Sequence, residues 1–201
     1  MRSRGINPVR IEVSGLTRVA LGALGALGCA IVLALLPAGG FAGAVPAAEC
    51  FGASPPGAPP DDVIVGTAGD DVFSGGAGND RICTFSGQDQ LNGDEGEDRL
   101  RGGNDDDQLA GGSGADIIYA GLGVDTATGD GEEDTIHGQQ GGDDLSGGAG
   151  DDLLKGLADA DHLSGGPGFD ICDGGGGADT ADDTCERIIS ASPNGPILTS
   201  R

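Results

Sequence analysis

Large apolar side chains recur at nine-residue intervals along most of the chain, with small and polar residues between them. They are Phe73, Ile82, Leu91, Leu100, Leu109, Ile118, Ile136, Leu145, Leu154 and Leu163. Ala127, Cys172 and Ala181 continue the same phase. Thirteen nine-residue units therefore run from residue 66 to residue 182 without insertion or deletion, each with this residue at position eight. A repeat that keeps its phase over so many units predicts a solenoid.

Each unit predicts a tight turn followed by a three-residue strand. Position one is Gly in eleven units and position four in ten, and we expect these glycines to supply positive φ and close approach of neighbouring segments. Positions seven to nine form the strand, with position eight inward and its two neighbours outward. Two units close one turn, which predicts an all-β, right-handed parallel β-roll of about six and a half turns.

Acidic side chains follow the same period. Position six is Asp in all thirteen units: Asp71, Asp80, Asp89, Asp98, Asp107, Asp116, Asp125, Asp134, Asp143, Asp152, Asp161, Asp170 and Asp179. Stacking places these carboxylates in ladders, with like charges about 5 Å apart along the axis. Such ladders oppose folding unless a cation neutralises them. Carboxylate and carbonyl oxygens in a flexible arrangement are the ligands that Ca²⁺ takes, whereas Mg²⁺ demands stricter octahedral geometry.

Three units, "GGAGNDRIC", "GGSGADIIY" and "GGAGDDLLK", fit the pattern G-G-x-G-x-D-x-U-x completely, where U is a large apolar residue. The repeat resembles the RTX family of haemolysin-type calcium-binding nonapeptides. That resemblance implies a parallel β-roll with Ca²⁺ in its turns and the thirteen aspartates as side-chain ligands. It also implies carbonyl ligands near Gly75, Gly78, Gly111, Gly114, Gly147, Gly150, Gly165 and Gly168. Seven odd-numbered and six even-numbered units leave at most 11 inter-turn sites.

Some units depart from the pattern. Position four is acidic at Asp105, Glu132 and Asp159. Glu at a position that favours positive φ is costly, so we expect the loop at Glu132 either to distort or to lose its ion. Asp tolerates that conformation better, so Asp105 and Asp159 are candidates for extra carboxylate ligands. The unit at residues 84–92 lacks both leading glycines, which weakens the expectation of a site there.

The amino-terminal segment differs from the repeats. Four arginines precede an apolar run at residues 19–36, and small residues follow. This order predicts a secretory signal peptide at residues 1–44, cleaved after Ala44 or Ala47. An uncleaved membrane anchor is the alternative. Residues 45–65 are then a Pro-rich linker and amino-terminal cap, and residues 183–201 a carboxy-terminal cap and tail, with Ile188 and Ile189 over the last turn.

The net charge limits which partners the chain can bind, and the cysteine content indicates the compartment in which it folds. The formal net charge is −23 at pH 7, and removal of the signal peptide would make the remainder more acidic. Such a chain repels nucleic acid and anionic lipid, so neither nucleic-acid binding nor membrane insertion of the mature chain is expected. Cys50, Cys83, Cys172 and Cys185 form an even set that fits disulfides in an exported protein. Of three connectivities, Cys50–Cys83 with Cys172–Cys185 is favoured because each pair would staple one end. Metal thiolates are the weaker alternative.

Catalytic chemistry has little support in this sequence. His137 and His162 fall on outward strand positions, and a Ser-His-Asp set with Ser146 or Ser164 lacks the motifs and the pocket of a hydrolase. We therefore predict no enzyme. The even-numbered units present an outer surface, the even-repeat face, that carries all four cations of the repeats and several large side chains: Arg81, Arg99, Arg101, Tyr119, Leu153 and Lys155. This face is a candidate for docking a protein partner or a second copy.

These observations predict a secreted, extracellular calcium-binding repeat protein whose folding is coupled to Ca²⁺ binding. Many relatives leave bacteria through a dedicated exporter that reads a carboxy-terminal signal, whereas the segment at residues 1–44 favours the general secretory route. Two alternatives use the same roll. One is an adhesive or structural protein associated with the cell surface, and the other is an accessory module of a secreted hydrolase or toxin.

Overall fold

The computed structural model describes residues 61–190 and 198–199, and every regular element within them is a β-strand. The strands are β1 (Val63–Val65), β2 (Val72–Ala77), β3 (Arg81–Cys83), β4 (Gln90–Glu95), β5 (Arg99–Asn104), β6 (Gln108–Ser113), β7 (Ile117–Leu122), β8 (Thr126–Gly131), β9 (Thr135–Gln140), β10 (Asp144–Ala149), β11 (Leu153–Ala158), β12 (His162–Ser164), β13 (Ile171–Gly176), β14 (Thr180–Ala181), β15 (Arg187–Ser190) and β16 (Leu198–Thr199). The described part holds no helix long and apolar enough to cross a membrane. The predicted signal peptide lies outside the described residues.

The strands form two parallel sheets. The first sheet runs β1-β3-β5-β7-β9-β11-β13-β15, and the second runs β2-β4-β6-β8-β10-β12-β14-β16. Within the repeats, neighbouring strands are offset by 18 residues, so that Leu100 pairs with Ile118 and Leu91 with Leu109. Two nine-residue units therefore make one turn. The result is a parallel β-roll of about seven turns, which confirms the predicted fold.

Position-eight side chains fill the interior between the sheets. Ile82, Leu100, Ile118, Ile136, Leu145, Leu154 and Leu163 are 0 % exposed, and Phe73 packs against this cluster from one end. Full burial of one such side chain contributes about 1.5–3 kcal/mol, whereas ordering nine backbone residues costs several times more. A single unit therefore cannot fold alone, and stability depends on stacking.

The strands are longer than predicted, and the positive φ angles lie elsewhere. Most strands span six residues, because the chain stays paired through positions one to three of the next unit. The expectation of positive φ holds at position four, as at Gly114, but fails at position one. Position two takes the positive φ instead, as at Gly112 (φ 111°) and Asp94 (φ 76°). This kink at position two turns the chain away from the strand.

Both ends of the roll extend beyond residues 66–182. At the start, β1 pairs with β3, and Ile64 joins the core at 5 % exposure. At the end, β15 pairs with β13, and Ile188 packs against the same core. These strands cover the open ends of the core, which are the weak points of any solenoid.

Candidate metal centre

Two ladders of buried aspartates follow the edges of the roll. The odd ladder lies in the turns that lead into the second sheet and the even ladder in those that lead into the first. The odd ladder contains Asp71, Asp89, Asp107, Asp125, Asp143, Asp161 and Asp179, and the even ladder contains Asp80, Asp98, Asp116, Asp134, Asp152 and Asp170. None of these side chains is more than 4 % exposed. The structure thus brings the predicted residues together within each ladder, on two separate edges.

One carboxylate oxygen of each inner aspartate holds the ladder together. The N–H of each aspartate donates to Oδ1 of the aspartate 18 residues later, for example Asp116 N to Asp134 Oδ1 at 2.8 Å. The same bond recurs at every step of both ladders, with distances of 2.7–3.2 Å. Position six therefore needs a short side chain with an acceptor, which explains part of its invariance within this chain.

Within residues 61–190, the second carboxylate oxygen of eleven ladder aspartates has no hydrogen-bond partner. Oδ2 is buried and unpaired in Asp80, Asp89, Asp98, Asp107, Asp116, Asp125, Asp134, Asp143, Asp152, Asp161 and Asp170. Leaving a buried, charged oxygen unpaired is expensive, because burial removes the water that would otherwise solvate it. Because the same unpaired carboxylate oxygen recurs from turn to turn, it indicates a ligand that is itself positively charged.

In the inner units, the position-one glycine leaves a small cradle beside this unpaired oxygen. A Cβ added at Gly93 would lie 2.3 Å from Asp98 Oδ2 and 2.4 Å from the carbonyl oxygen of Gly111. The equivalent Cβ at Gly129 would lie 2.1 Å from Asp134 Oδ2 and 2.5 Å from the Gly147 carbonyl oxygen. A carboxylate oxygen and a backbone carbonyl oxygen thus converge in the absence of any side chain. Glycine occupies position one because a side chain would not fit there, and not because the backbone needs a positive φ.

Charge is poorly accommodated in the ladders. Burial raises the pKa of Asp98, Asp107, Asp125, Asp134 and Asp161 to about 7, and that of Asp116 to about 6. Neighbouring carboxylates raise these pKa values further, whereas the N–H donated from the preceding turn lowers them. The pKa values of Asp80, Asp89, Asp143, Asp152 and Asp170 are raised for the same leading reason, burial. Protons or cations must therefore neutralise the ladders.

The donor set fits a hard cation. Every converging atom is an oxygen, which is the ligand type of Ca²⁺. Within residues 61–190, no three His, Cys, Asp or Glu side chains cluster closely enough to hold a metal by themselves. Backbone carbonyls would have to complete any coordination sphere. Of the predicted carbonyl donors, those of Gly111, Gly147 and Gly165 lie beside an unpaired Oδ2, and those of Gly78 and Gly150 point at the position-four glycine of the next turn.

The irregular units keep a positive φ at position four. Glu132 adopts φ 75°, which is also positive but differs from φ 123° at Gly114 and φ 151° at Gly150 in the adjacent turns, so its loop is distorted locally as expected. Asp105 Oδ2 accepts the N–H of Gly87 at 3.1 Å, and Asp159 Oδ2 accepts that of Gly141 at 3.3 Å. These two carboxylates therefore bond to the adjacent turn. Thr84, at position one of the unit without leading glycines, donates its hydroxyl to the Gly102 carbonyl.

Two ladder positions were missed by the sequence analysis. Asp62 donates its N–H to Asp80 Oδ1 at 2.5 Å, so it occupies position six of an extra unit before residue 66. Glu186 accepts the N–H of Asp170 at 2.6 Å and occupies the same place after residue 182. A signal existed in both cases, because an acid stands two residues before an apolar side chain, Ile64 or Ile188.

Disulfides secure the ends of the described roll. Cys172 and Cys185 are bonded, with a Cα–Cα distance of 5.9 Å, as predicted. Cys83 is also disulfide-bonded, but Cys50 lies outside the described residues. The Cys50–Cys83 pairing therefore stays a prediction.

The candidate catalytic side chains do not assemble into a triad in the described structure. His137 stacks on Tyr119 with ring centroids 5.0 Å apart, and burial together with Lys155 lowers its pKa. His162 Nδ1 contacts the Thr180 hydroxyl at 2.9 Å, whereas Ser164 donates to Asp182 at 2.7 Å. Each group is thus engaged with a different partner along the stack.

The fold and the ladders define a solenoid of acidic nonapeptide repeats. The family model of the RTX calcium-binding nonapeptide repeat (4 copies) matches residues 61–91, 84–118, 92–127, 119–154 and 146–181. These matches together span more than half of the chain, so the protein belongs to the RTX calcium-binding repeat family. No curated protein and no solved structure matches it.

Proposed function

We propose that this chain is a calcium-binding repeat protein whose β-roll folds as Ca²⁺ enters the aspartate ladders. The buried, unpaired Oδ2 atoms carry this proposal. The thirteen position-six aspartates would supply the side-chain ligands, and the glycine-rich turns, including the eight predicted glycines, would supply carbonyl oxygens. With two edges available, at most 11 inter-turn sites exist between these aspartates.

Coupling of folding to binding follows from the charge of the ladders. Without a cation, ionised aspartates about 5 Å apart repel one another along the axis. The extended chain separates these charges and hydrates them. Because the sites exist only in the folded roll, the free energy of Ca²⁺ binding adds directly to its stability.

A calcium titration of the purified protein, followed by far-ultraviolet circular dichroism, tests the proposal. We expect a cooperative change from coil to strand in Ca²⁺, with Mg²⁺ at equal concentration as the control, because Mg²⁺ retains its waters. A strand signal that is complete in chelator and unaffected by Ca²⁺ would contradict it. That result would favour the structural alternative, in which the roll stands without metal.

We also infer that the protein is exported and acts outside the cell. The basic and apolar segment before Ala44 supports export, and the Cys172–Cys185 disulfide fits an oxidising compartment. Amino-terminal sequencing of the protein recovered from culture medium should begin after Ala44 or Ala47. Recovery in the membrane fraction with an intact amino terminus would support the anchor instead.

The proposed biochemical activity is binding rather than catalysis, since a β-roll is a structural fold. An adhesive or structural surface protein, and an accessory module of a secreted hydrolase or toxin, are the alternative roles. A catalytic chain that co-purifies with this protein would support the accessory role. Clustering of copies at the cell surface would support adhesion.

We further propose that the even-repeat face, the outer surface of the first sheet, pairs with a second copy. Its position-nine residues align in register as Arg101, Tyr119, His137, Lys155 and Asp173. A two-fold axis over β9 would place Arg101 opposite Asp173 of the second copy and Tyr119 opposite Lys155. The Arg101–Asp173 pair is therefore complementary in charge across such an axis. The most distant cations, Arg81 and Arg187, would repel each other in that arrangement.

Sedimentation in Ca²⁺ tests the pairing. Tyr119→Ser with Leu153→Ser should abolish self-association, whereas Gln108→Ser with Thr126→Ser on the outer surface of the second sheet should leave it unchanged. Self-association that persists in the first variant would overturn this proposal, and so would a wild-type protein that stays monomeric at high concentration.

A further inference from the structure

The turn that leads into β15, called the closing turn below, is built differently from all earlier turns of the roll. Arg187 pairs with Ile171, an offset of 16 residues instead of the 18 found between the repeats. The closing turn, residues 182–186, is therefore two residues shorter than its predecessors. Gly166 donates its N–H to the Thr184 hydroxyl at 2.8 Å, so a side chain replaces a backbone contact across this gap. The family match ends at residue 181, before this turn.

Glu186 restores the ladder geometry in spite of the shorter turn. Its Oε2 accepts the N–H of Asp170 at 2.6 Å, just as Asp170 Oδ1 accepts the N–H of Asp152 at 2.9 Å. The extra methylene group of Glu extends its reach where the backbone is shorter. At this end the even ladder therefore has one more carboxylate than the nonapeptide pattern contains, as it has at the start with Asp62.

The carboxylate beneath Glu186 has an unused oxygen. Asp170 is 0 % exposed, and its Oδ2 is buried without a hydrogen-bond partner. Its only ladder neighbours are Asp152 and Glu186. The buried charge of Asp170 needs a cation for the same reason as in the inner turns, whereas Glu186 is exposed and brings a second carboxylate to the edge of the same gap.

We propose that Asp170 and Glu186 hold one further divalent cation, between the turn at residues 165–170 and the closing turn. Calcium is the cation that suits this oxygen donor set. The proposal rests on the proposed calcium binding of the repeats. It adds a site beyond the thirteen aspartates, with a glutamate that no nonapeptide unit supplies.

The Cys172–Cys185 disulfide positions the new ligand. Cys185 directly precedes Glu186, and Cys172 is a core residue that is 0 % exposed. The bond therefore fixes the backbone of the closing turn to the interior of the roll. A ligand held in this way loses little conformational freedom on binding.

Counting Ca²⁺ ions bound per full-length chain, by native mass spectrometry and equilibrium dialysis, tests the proposal. Glu186→Gln keeps an oxygen that can accept the Asp170 N–H, so the roll should still fold, yet it should bind one ion fewer than wild type. Glu186→Asp keeps the charge but is one methylene shorter, and it should also lose that ion. Glu133→Gln, which changes an exposed acid outside the ladders, should bind the wild-type number.

The outcomes separate the two proposals. One ion fewer in both Glu186 variants, with circular dichroism in Ca²⁺ unchanged, supports the terminal site. A wild-type count and affinity in Glu186→Gln overturns it while the calcium function of the repeats stands, and so does a loss of several ions at once. A wild-type protein that binds no Ca²⁺ would instead contradict the proposed function itself.

Discussion

The two oxygens of a ladder aspartate have separate tasks. Oδ1 accepts a backbone N–H from the preceding turn, as Asp134 does from Asp116 at 2.8 Å, and this task needs no charge. In the inner turns, Oδ2 faces a backbone carbonyl oxygen and accepts no hydrogen bond. Its task is to bind a cation, because two oxygens that face each other without a donor repel. Asparagine could perform the first task but not the second. Replacement of one aspartate by asparagine therefore separates structure from metal binding.

Asp134→Asn should change stability in opposite directions with and without calcium. In chelator at pH 8, the variant should be more stable by about 1–3 kcal/mol, because a buried unpaired charge is removed and the new amide can donate toward the Gly147 carbonyl. In calcium, the midpoint of folding should need about tenfold more Ca²⁺, equivalent to about 1.4 kcal/mol. Strand content by circular dichroism in chelator, where only a fraction of the chains forms the roll, and thermal unfolding in Ca²⁺ measure the effect. Asp144→Asn, at an exposed strand position, is the control, and destabilisation of Asp134→Asn in chelator would contradict the account.

Most position-four glycines are required by both φ and space, with Gly69 of the first unit as an exception, which predicts a large effect of one methyl group at the others. Gly141 has φ +126°, and an added Cβ would lie 1.4 Å from the Gly123 carbonyl oxygen. Gly141→Ala should lose about 1–3 kcal/mol from backbone strain, with the clash in addition. Gly69→Ala is the matched control, because nothing lies within 4 Å of its added Cβ. Urea unfolding in Ca²⁺ compares them, and equal midpoints would refute this role of position four.

At the scale of the strand, burial at position eight should dominate stability. In β11, Leu154 is 0 % exposed, whereas Leu157, three residues later, is 44 % exposed at φ 81°. Leu154→Ala should cost about 2–5 kcal/mol, whereas Leu157→Ala should change stability by less than about 1 kcal/mol. Denaturant unfolding in Ca²⁺ measures both. A comparable loss in the two variants would mean that the core does not reside at position eight.

The strand pattern was predictable because it depends on one inward residue per unit. The nine-residue period predicted that the residue at position eight points inward. With two units per turn, it also predicted the 18-residue offset that pairs Leu100 with Ile118. The turn was harder to predict, since glycine is used for two reasons that look alike in sequence. At Gly129 the reason is space beside Asp134, and at Gly112 it is a positive φ. Only the structure distinguishes a glycine that is required for space from one that is required for its φ.

The ends of the roll escaped the pattern for a different reason. Asp62 and Ile64 keep positions six and eight, but no G-x-x-G precedes them in residues 57–65. At Glu186 the acid is a different residue and the spacing is 16 rather than 18. A terminal unit has a neighbour on one side only, so it can depart from the pattern that the inner units must keep.

For the whole molecule, protons and calcium ions are alternative ways to neutralise the ladders. In the metal-free roll, six ladder carboxyls have pKa values of about 6–7, compared with 3.8 for an exposed aspartate. Between those values the folded state binds more protons than the unfolded chain. Stability without metal is therefore fully present below about pH 4 and is lost as the pH rises through 7. Bound calcium reverses this dependence, because it binds the ionised form and protons compete with it.

The slope of stability against pH should consequently reverse with calcium. In metal-free buffer, the fraction of chains that form the roll, read from the strand signal in circular dichroism, should be larger at pH 5 than at pH 8, since burial favours the neutral carboxyl. In millimolar-range Ca²⁺, the melting temperature should be higher at pH 8, because protons then compete with the ion for the same oxygens. Circular dichroism without Ca²⁺ and calorimetry with Ca²⁺, each at both pH values, measure the four conditions, and Asp144→Asn should reproduce the wild-type slopes. A metal-free roll that gains stability from pH 5 to pH 8 would mean that its ladders tolerate their charge, and calcium would then not be needed to neutralise them.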